Sequence, residues 1–188
     1  MSDVVLLTHE GPIGTLTINR PDKLNALNPD VLTGVSNALA ECREKGTRCL
    51  IVTGAGKAFV AGADVKFFVD KIRADSFPDI DEFTRDGHVM LNRIEGSPHT
   101  TIALTTGLAL GGGLELALSC DYRIGTERTM LRFPETSIGI YPGLGGTQRS
   151  ARVCGVEAAR YAVLAGNFLD PGSAKALGFV THLVDVSE

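Results

Sequence analysis

The stretch TIALTTGLALGGGLELALSCDYRIG (101–125) decides how the chain folds. Thr101–Thr105 is apolar enough for a buried strand, and Gly111–Gly113 interrupts the chain. Leu114, Leu116, Ala117 and Leu118 predict a short helix over about Gly112–Ser119, and Tyr122–Gly125 predicts another strand. Strand, glycine junction, helix and strand in so short a span is the local grammar of an α/β fold.

The same order extends outward. Val4–Leu7 and Thr15–Asn19 flank the turn EGPIG (10–14) and predict an antiparallel hairpin. Asn28 is placed as a helix N-cap with Pro29 at the first helical position. Leu32, Val35, Leu39 and Cys42 follow at helical spacing, and Gly46 is the stop. CLIVTG (49–54) reads as a buried strand and Pro78–Ile94 as a second helix. Downstream come a strand at Met130–Phe133, helices near Gly146–Val163 and Pro171–Leu177, and a last strand at Phe179–Val184. This alternation predicts a largely parallel sheet. Repeated strand–strand–helix units also allow a spiral, and spacing does not choose between a spiral and a doubly wound sheet.

The 188 residues, 44% hydrophobic and 21% charged, suit one globular domain over 1–188 with a substantial core. A net charge of -4 offers no basic field for nucleic acid or an anionic membrane. Cys42, Cys49, Cys120 and Cys154 show no CxxC pairing or His/Cys cluster, so packing cysteines of a reducing compartment are expected, without metal or disulfides. No apolar run reaches membrane-spanning length, and MSDVVLLTHEG (1–11) has no secretory or transit character, so a soluble cytoplasmic protein is expected. His9, His88, His99 and His182 lack partners at motif spacing and are expected on the surface or on helix faces.

Two nucleotide readings fail. VTGAGKAF (52–59) has Gly-Lys after a strand, but Ile51 and Ala58 stand where a phosphate loop needs Gly and Ser or Thr. GLALGGGLE (107–115) does not fit the GxGxxG spacing of a dinucleotide site. What remains at Gly111–Gly113 is either a tight turn with close helix packing or a junction that exposes backbone N–H groups. FVAGADVKFF (59–68) has similar small residues, with Asp64 able to cap a helix from Val65. Two such turns could direct backbone donors at one oxygen, as stabilising an enolate requires. Glu115 and Glu135, each after a glycine- or proline-marked turn, could supply the acid and base for chemistry beside a carbonyl. Carboxyl groups sharing a site push their proton affinities apart, which suits one to give and one to accept.

AFVAGADVK (58–66), ALGGGLELALSCDYR (109–123) and FPETSIGIYPGLGGTQR (133–149), with NRPDKLNALN (19–28), resemble the crotonase, or enoyl-CoA hydratase/isomerase, superfamily across essentially the whole chain. The resemblance implies a crotonase-like spiral of strand–strand–helix units that binds acyl-CoA thioesters, with no cofactor beyond the coenzyme A of the substrate. It implies an oxyanion hole from the N–H groups of Ala63 and Gly112, and Glu115 and Glu135 as the acid/base pair of the hydratase subgroup. Gly143 corresponds to the glycine that helps place the attacking water, and Ala61, Asp64, Val65 and Lys66 to the stretch lining the coenzyme A site. Glu135 is assigned as proton donor to C2 and Glu115 as sharing the activation of water. Arg149 is expected to brace carboxylates or backbone, and Phe67 and Phe68 to be core or pocket wall. The family assembles as trimers or dimers of trimers, so a homo-oligomer is implied. Family members continue after the strand that FVTHLVDV (179–186) resembles into C-terminal helices, a region apparently missing here. Hydration of a 2-enoyl-CoA is the first expectation; double-bond isomerisation and a non-catalytic acyl-CoA-binding or assembly module are the alternatives.

Overall fold

The computed structural model describes residues 4–185; the start of the MSDVVLLTHEG stretch (1–3) and the last residue of FVTHLVDV, with the two residues after it (186–188), lie outside the described residues. Val5–Glu10 (β1) and Ile13–Ile18 (β2) form the expected antiparallel hairpin, with Val5 opposite Ile18 and Glu10 opposite Ile13. Asn28 caps Pro29–Glu44 (α1), its side chain accepting from the Val31 N–H at 3.0 Å. The apolar face of α1, with Val31, Leu32, Val35, Leu39 and Cys42 buried, packs on the hairpin and on a later helix.

From there the chain repeats a unit. Cys49–Gly54 (β3) is followed by Ala58–Ala61 (β4) and by helices Val65–Arg73 (α2) and Phe77–Glu95 (α3). Thr100–Thr105 (β5) is followed by Leu108–Leu110 (β6) and Gly112–Leu118 (α4). Tyr122–Gly125 (β7) is followed by Met130–Arg132 (β8), a 3-10 turn at Glu135–Ile138, and helices Gly146–Cys154 (α5) and Val156–Ala165 (α6). Pro171–Ala176 (α7) and His182–Leu183 (β9) come last. The first strand of each unit joins one sheet in the order β1-β2-β3-β5-β7-β9, and the second joins another in the order β4-β6-β8. All neighbours after the hairpin are parallel. This is the spiral: each turn advances both sheets by one strand and returns through a helix.

Several expectations need correction. β4 and β6 were not anticipated, because four and three residues are too few to display a period. The helix expected over Gly146–Val163 is two helices, broken at Gly155, whose φ of +84° ends α5. The last strand is shorter than Phe179–Val184: Phe179 and Val180 are buried, and the Val180 N–H donates to the Ala174 carbonyl of α7 at 3.1 Å rather than to a neighbouring strand. His99 is not a surface residue: it is buried, with Nδ1 2.7 Å from the Thr47 carbonyl oxygen. The four cysteines are free, with Cys42 and Cys120 buried.

Candidate active site

Three short strands place the candidate groups. Ala63 lies two residues past the end of β4, Gly112 two past β6 and Glu135 three past β8. These strands are parallel neighbours with β6 in the middle, so their C-terminal ends meet on one side of the small sheet, where parallel α/β sheets generally carry their ligands.

Hydrogen bonding orients the two backbone turns. The Leu27 N–H donates to the Gly62 carbonyl at 2.8 Å, and the Asp64 N–H donates to the Leu27 carbonyl at 2.8 Å. A planar trans peptide with its carbonyl turned to Leu27 presents the following N–H, that of Ala63, on the opposite side. Likewise the Glu115 N–H donates to the Gly111 carbonyl at 2.9 Å, which turns the Gly112 N–H outward from α4. Among the described residues, no loop or cap bond engages the N–H of Ala63 or Gly112. The turns are adjacent: a Cβ on Gly112 would stand 3.7 Å from the Ala63 nitrogen.

A clasp from the NRPDKLNALN segment supports the first turn. Arg20 Nη2 donates to Asp64 Oδ2 at 2.9 Å and Nη1 to the Ala26 carbonyl at 2.5 Å. Asn25, fully buried with φ +60°, donates to the Ala55 and Ala58 carbonyls and accepts from the Arg20 N–H. Asp64 Oδ1 caps α2 by accepting from the Lys66 N–H. Partial burial raises the Asp64 carboxyl, but the hydrogen bond and charge of Arg20 outweigh this and hold it below the ordinary carboxylate range. Ala61 and Ala63 are half-buried on the same turn, whereas Val65 and Lys66 are exposed, Lys66 being paired with Asp70. Phe67 and Phe68, half-buried, pack on each other and on the buried Phe83 at the edge of the core.

The two glutamates are both buried, Glu115 at 1% exposure and Glu135 at 8%. Glu115 Oε1 accepts from the Leu144 and Gly146 N–H groups, both at 2.7 Å. Burial pushes its carboxyl up to about 7; the Gly146 N–H bond opposes this, the neighbouring Glu135 charge adds to it, and the Leu144 bond and Arg149 oppose it more weakly. Burial also pushes Glu135 upward. Glu135 Oε2 is buried without a hydrogen-bond partner among the described residues. Its carboxyl group lies against the Gly111 turn, where a Cβ on Gly111 would overlap Oε1 and stand 3.2 Å from Cδ. Gly111, at φ +45°, therefore serves two needs that only glycine meets.

Gly143 is exposed, one residue before the Leu144 donor, with no atom closer to a Cβ there than the Tyr141 oxygen at 3.9 Å. The Leu144 and Gly146 donors were not anticipated; the doubled glycine of GLGG (143–146) was the available signal. No group of three or more His, Cys, Asp or Glu side chains that could hold a metal ion forms among the described residues. No helix among them is long and apolar enough to cross a membrane.

A family model described as enoyl-CoA hydratase/isomerase matches residues 13–188. The chain belongs to that family. A short-chain-enoyl-CoA hydratase of Clostridium acetobutylicum is 37% identical over 186 residues, covering 98% of this chain and 70% of the relative. A crotonyl-CoA hydratase of Syntrophomonas wolfei is 36% identical with the same coverage. Among solved structures, an enoyl-CoA hydratase from Bacillus anthracis superposes with a TM-score of 0.91 at 34% identity, over 98% of this chain and 71% of that one. One from Thermoplasma volcanium gives 0.90, also at 34% identity, over 99% and 73%. The sheet order above is thus the crotonase spiral of this family.

Proposed function

We propose that this chain adds water to a 2-enoyl-CoA thioester, giving a 3-hydroxyacyl-CoA. The observation that carries the reading is two buried glutamates beside two adjacent, outward-turned peptide N–H groups. The Ala63 and Gly112 N–H groups would hold the thioester oxygen, on which charge builds when oxygen attacks C3. Losing one such donor typically costs about 2.7–4 kcal/mol of barrier. Glu115 has Oε1 committed to backbone donors, which leaves Oε2 to take a proton from water. The hydroxyl forms its bond to C3 as electrons move onto the thioester oxygen. They return as Glu135 delivers its proton to C2, and proton exchange between the two carboxyl groups resets the pair. Gly143, exposed and without a side chain, leaves room for the water beside Leu144. In the same reading coenzyme A runs along Ala61, Asp64, Val65 and Lys66, its phosphates competing with Asp70 for the Lys66 ammonium. In this reading residues 1–188 belong to a single domain that works within a homo-oligomer.

The test is loss of the conjugated absorbance of crotonyl-CoA and of longer enoyl thioesters, with a product heavier by one water. Binding without turnover across the series would instead assign an acyl-CoA-binding module. The pH profile carries a sign. Glu115 must be ionised to act as base and gives up its proton at about 7, so kcat/KM is expected to rise through that pH. Stability runs the other way. A folded value near 7 against 4.5 when exposed means the favourable contribution is complete below about 4.5 and gone above about 7. Glu115→Gln is therefore expected to gain stability on wild type at pH 8 but not at pH 5, read by denaturant melts at both.

A further inference from the structure

Among the described residues, the arginine of GGTQR forms no hydrogen bond or ion pair with Glu115 or Glu135. Its side chain is 6% exposed, and all three guanidinium nitrogens are used. Nε donates to Glu95 Oε2 at 2.9 Å, Nη2 to Asn92 Oδ1 at 2.6 Å and Nη1 to the Leu144 carbonyl at 2.8 Å. Leu144 is one of the two residues whose N–H holds Glu115. A rigid, permanently charged fork anchored on α3 by two side chains thus grips the turn that grips the carboxylate. Gly145 allows the approach: at φ +97°, a Cβ there would stand 2.5 Å from Nη1.

The charge matters as well as the grip. Titratable groups reach Glu115 from the elements packed around it. The 3-10 turn after β8 contributes Glu135, and α5 contributes Arg149. On α3, Glu95 is paired with Arg149, and His88 Cε1 lies 3.7 Å from a Cβ on Gly145. The strands packed on α4, which are β4, β5 and β6, carry no Asp, Glu, Lys, Arg or His. Arg149 is thus the cation that counters burial and Glu135 at this carboxylate.

We propose that Arg149 is a positioning residue for the water-activating step: through the Leu144 carbonyl and its fixed charge, it keeps Glu115 aimed and ionised. The proposal rests on reading Glu115 as the base, so the experiment observes the carboxyl group directly as well as turnover. The full chain, with glutamate side-chain carboxyls labelled with carbon-13, is titrated by NMR; Glu115→Gln assigns the resonance. Arg149→Met is expected to raise the Glu115 midpoint by about one unit and to move the acidic limb of kcat/KM with it, while KM changes less than twofold. Arg149→Lys restores most of the midpoint. Glu95→Gln, which unmasks the guanidinium, is expected to lower the midpoint by a few tenths of a unit, a direction that general damage to the fold would not produce.

An unmoved midpoint in Arg149→Met overturns the proposal. So does an unmoved or raised midpoint in Glu95→Gln, a half-exposed site that tests the idea even if Arg149→Met does not fold. Midpoints that shift as expected in a protein that hydrates no enoyl thioester would keep the inference about charge and grip while removing the hydratase reading.

Discussion

Glu135→Gln is expected to lower kcat for enoyl-CoA hydration by about 10²–10⁴-fold, the usual worth of a positioned proton donor, with KM changed little. Its carboxyl group is buried against the Gly111 turn, burial favours the protonated form, and one oxygen has no hydrogen-bond partner among the described residues. Such an orphaned buried oxygen is costly to the fold, and the proposed delivery of a proton to substrate would account for its retention. Glutamine keeps the shape and cannot deliver a carboxyl proton, so packing is preserved while transfer to C2 fails. Loss of the conjugated band should be followed alongside exchange of the C2 hydrogen with solvent deuterium. Equal losses would place Glu135 at proton transfer to C2. Near-normal hydration in a folded Glu135→Gln variant would remove it from the chemistry.

The parts of this site legible in sequence were those with unusual residue types. Glu115, a charge in an otherwise apolar helix, stands out because burying a carboxylate is expensive; Glu135, after Phe-Pro, reads on its own as an ordinary turn acid and is picked out only by the motif around it, and both are buried. The Asn28 and Asp64 caps were readable because capping is local chemistry, decided within a few residues. The missing parts depend on long-range neighbours. β4 and β6 are short apolar segments that become strands only by lying beside one another, with β8 as the third member. His99 looks like any polar residue before a strand until Thr47 arrives from across the fold to bond it. Arg149 was readable as a brace, but its side-chain partners sit on α3, more than fifty positions away in the chain. The two donors to Glu115 are backbone groups, marked in the sequence only by the doubled glycine of GLGG.

The glycine triplet was the hardest case, because its alternatives, turn geometry, open donors and close packing, are each true of a different residue. Gly111 bends the chain beside Glu135, and Gly112 presents its N–H beside Ala63. Gly113 is a packing glycine: a Cβ there would overlap the Val60 carbonyl oxygen and stand 2.7 Å from the Val60 carbonyl carbon. This makes Gly113→Ala a sharp test. Within a helix, alanine exceeds glycine by about 1 kcal/mol in propensity, so a roomy site would be stabilised. The obstacle here is strand backbone with no rotamer to change, and overpacking of this kind costs about 1–3 kcal/mol or more. We expect the second effect to win, with a net loss of about 2 kcal/mol and a Tm roughly 4–8 °C lower for a chain of this size. Any relief by sliding α4 off β4 also moves Gly112 away from Ala63, so kcat should fall further than the stability loss explains at temperatures where the variant is folded. A Gly113→Ala protein as stable as wild type would mean that α4 and β4 are not in the contact described, and the spacing of the two backbone donors would fall with it.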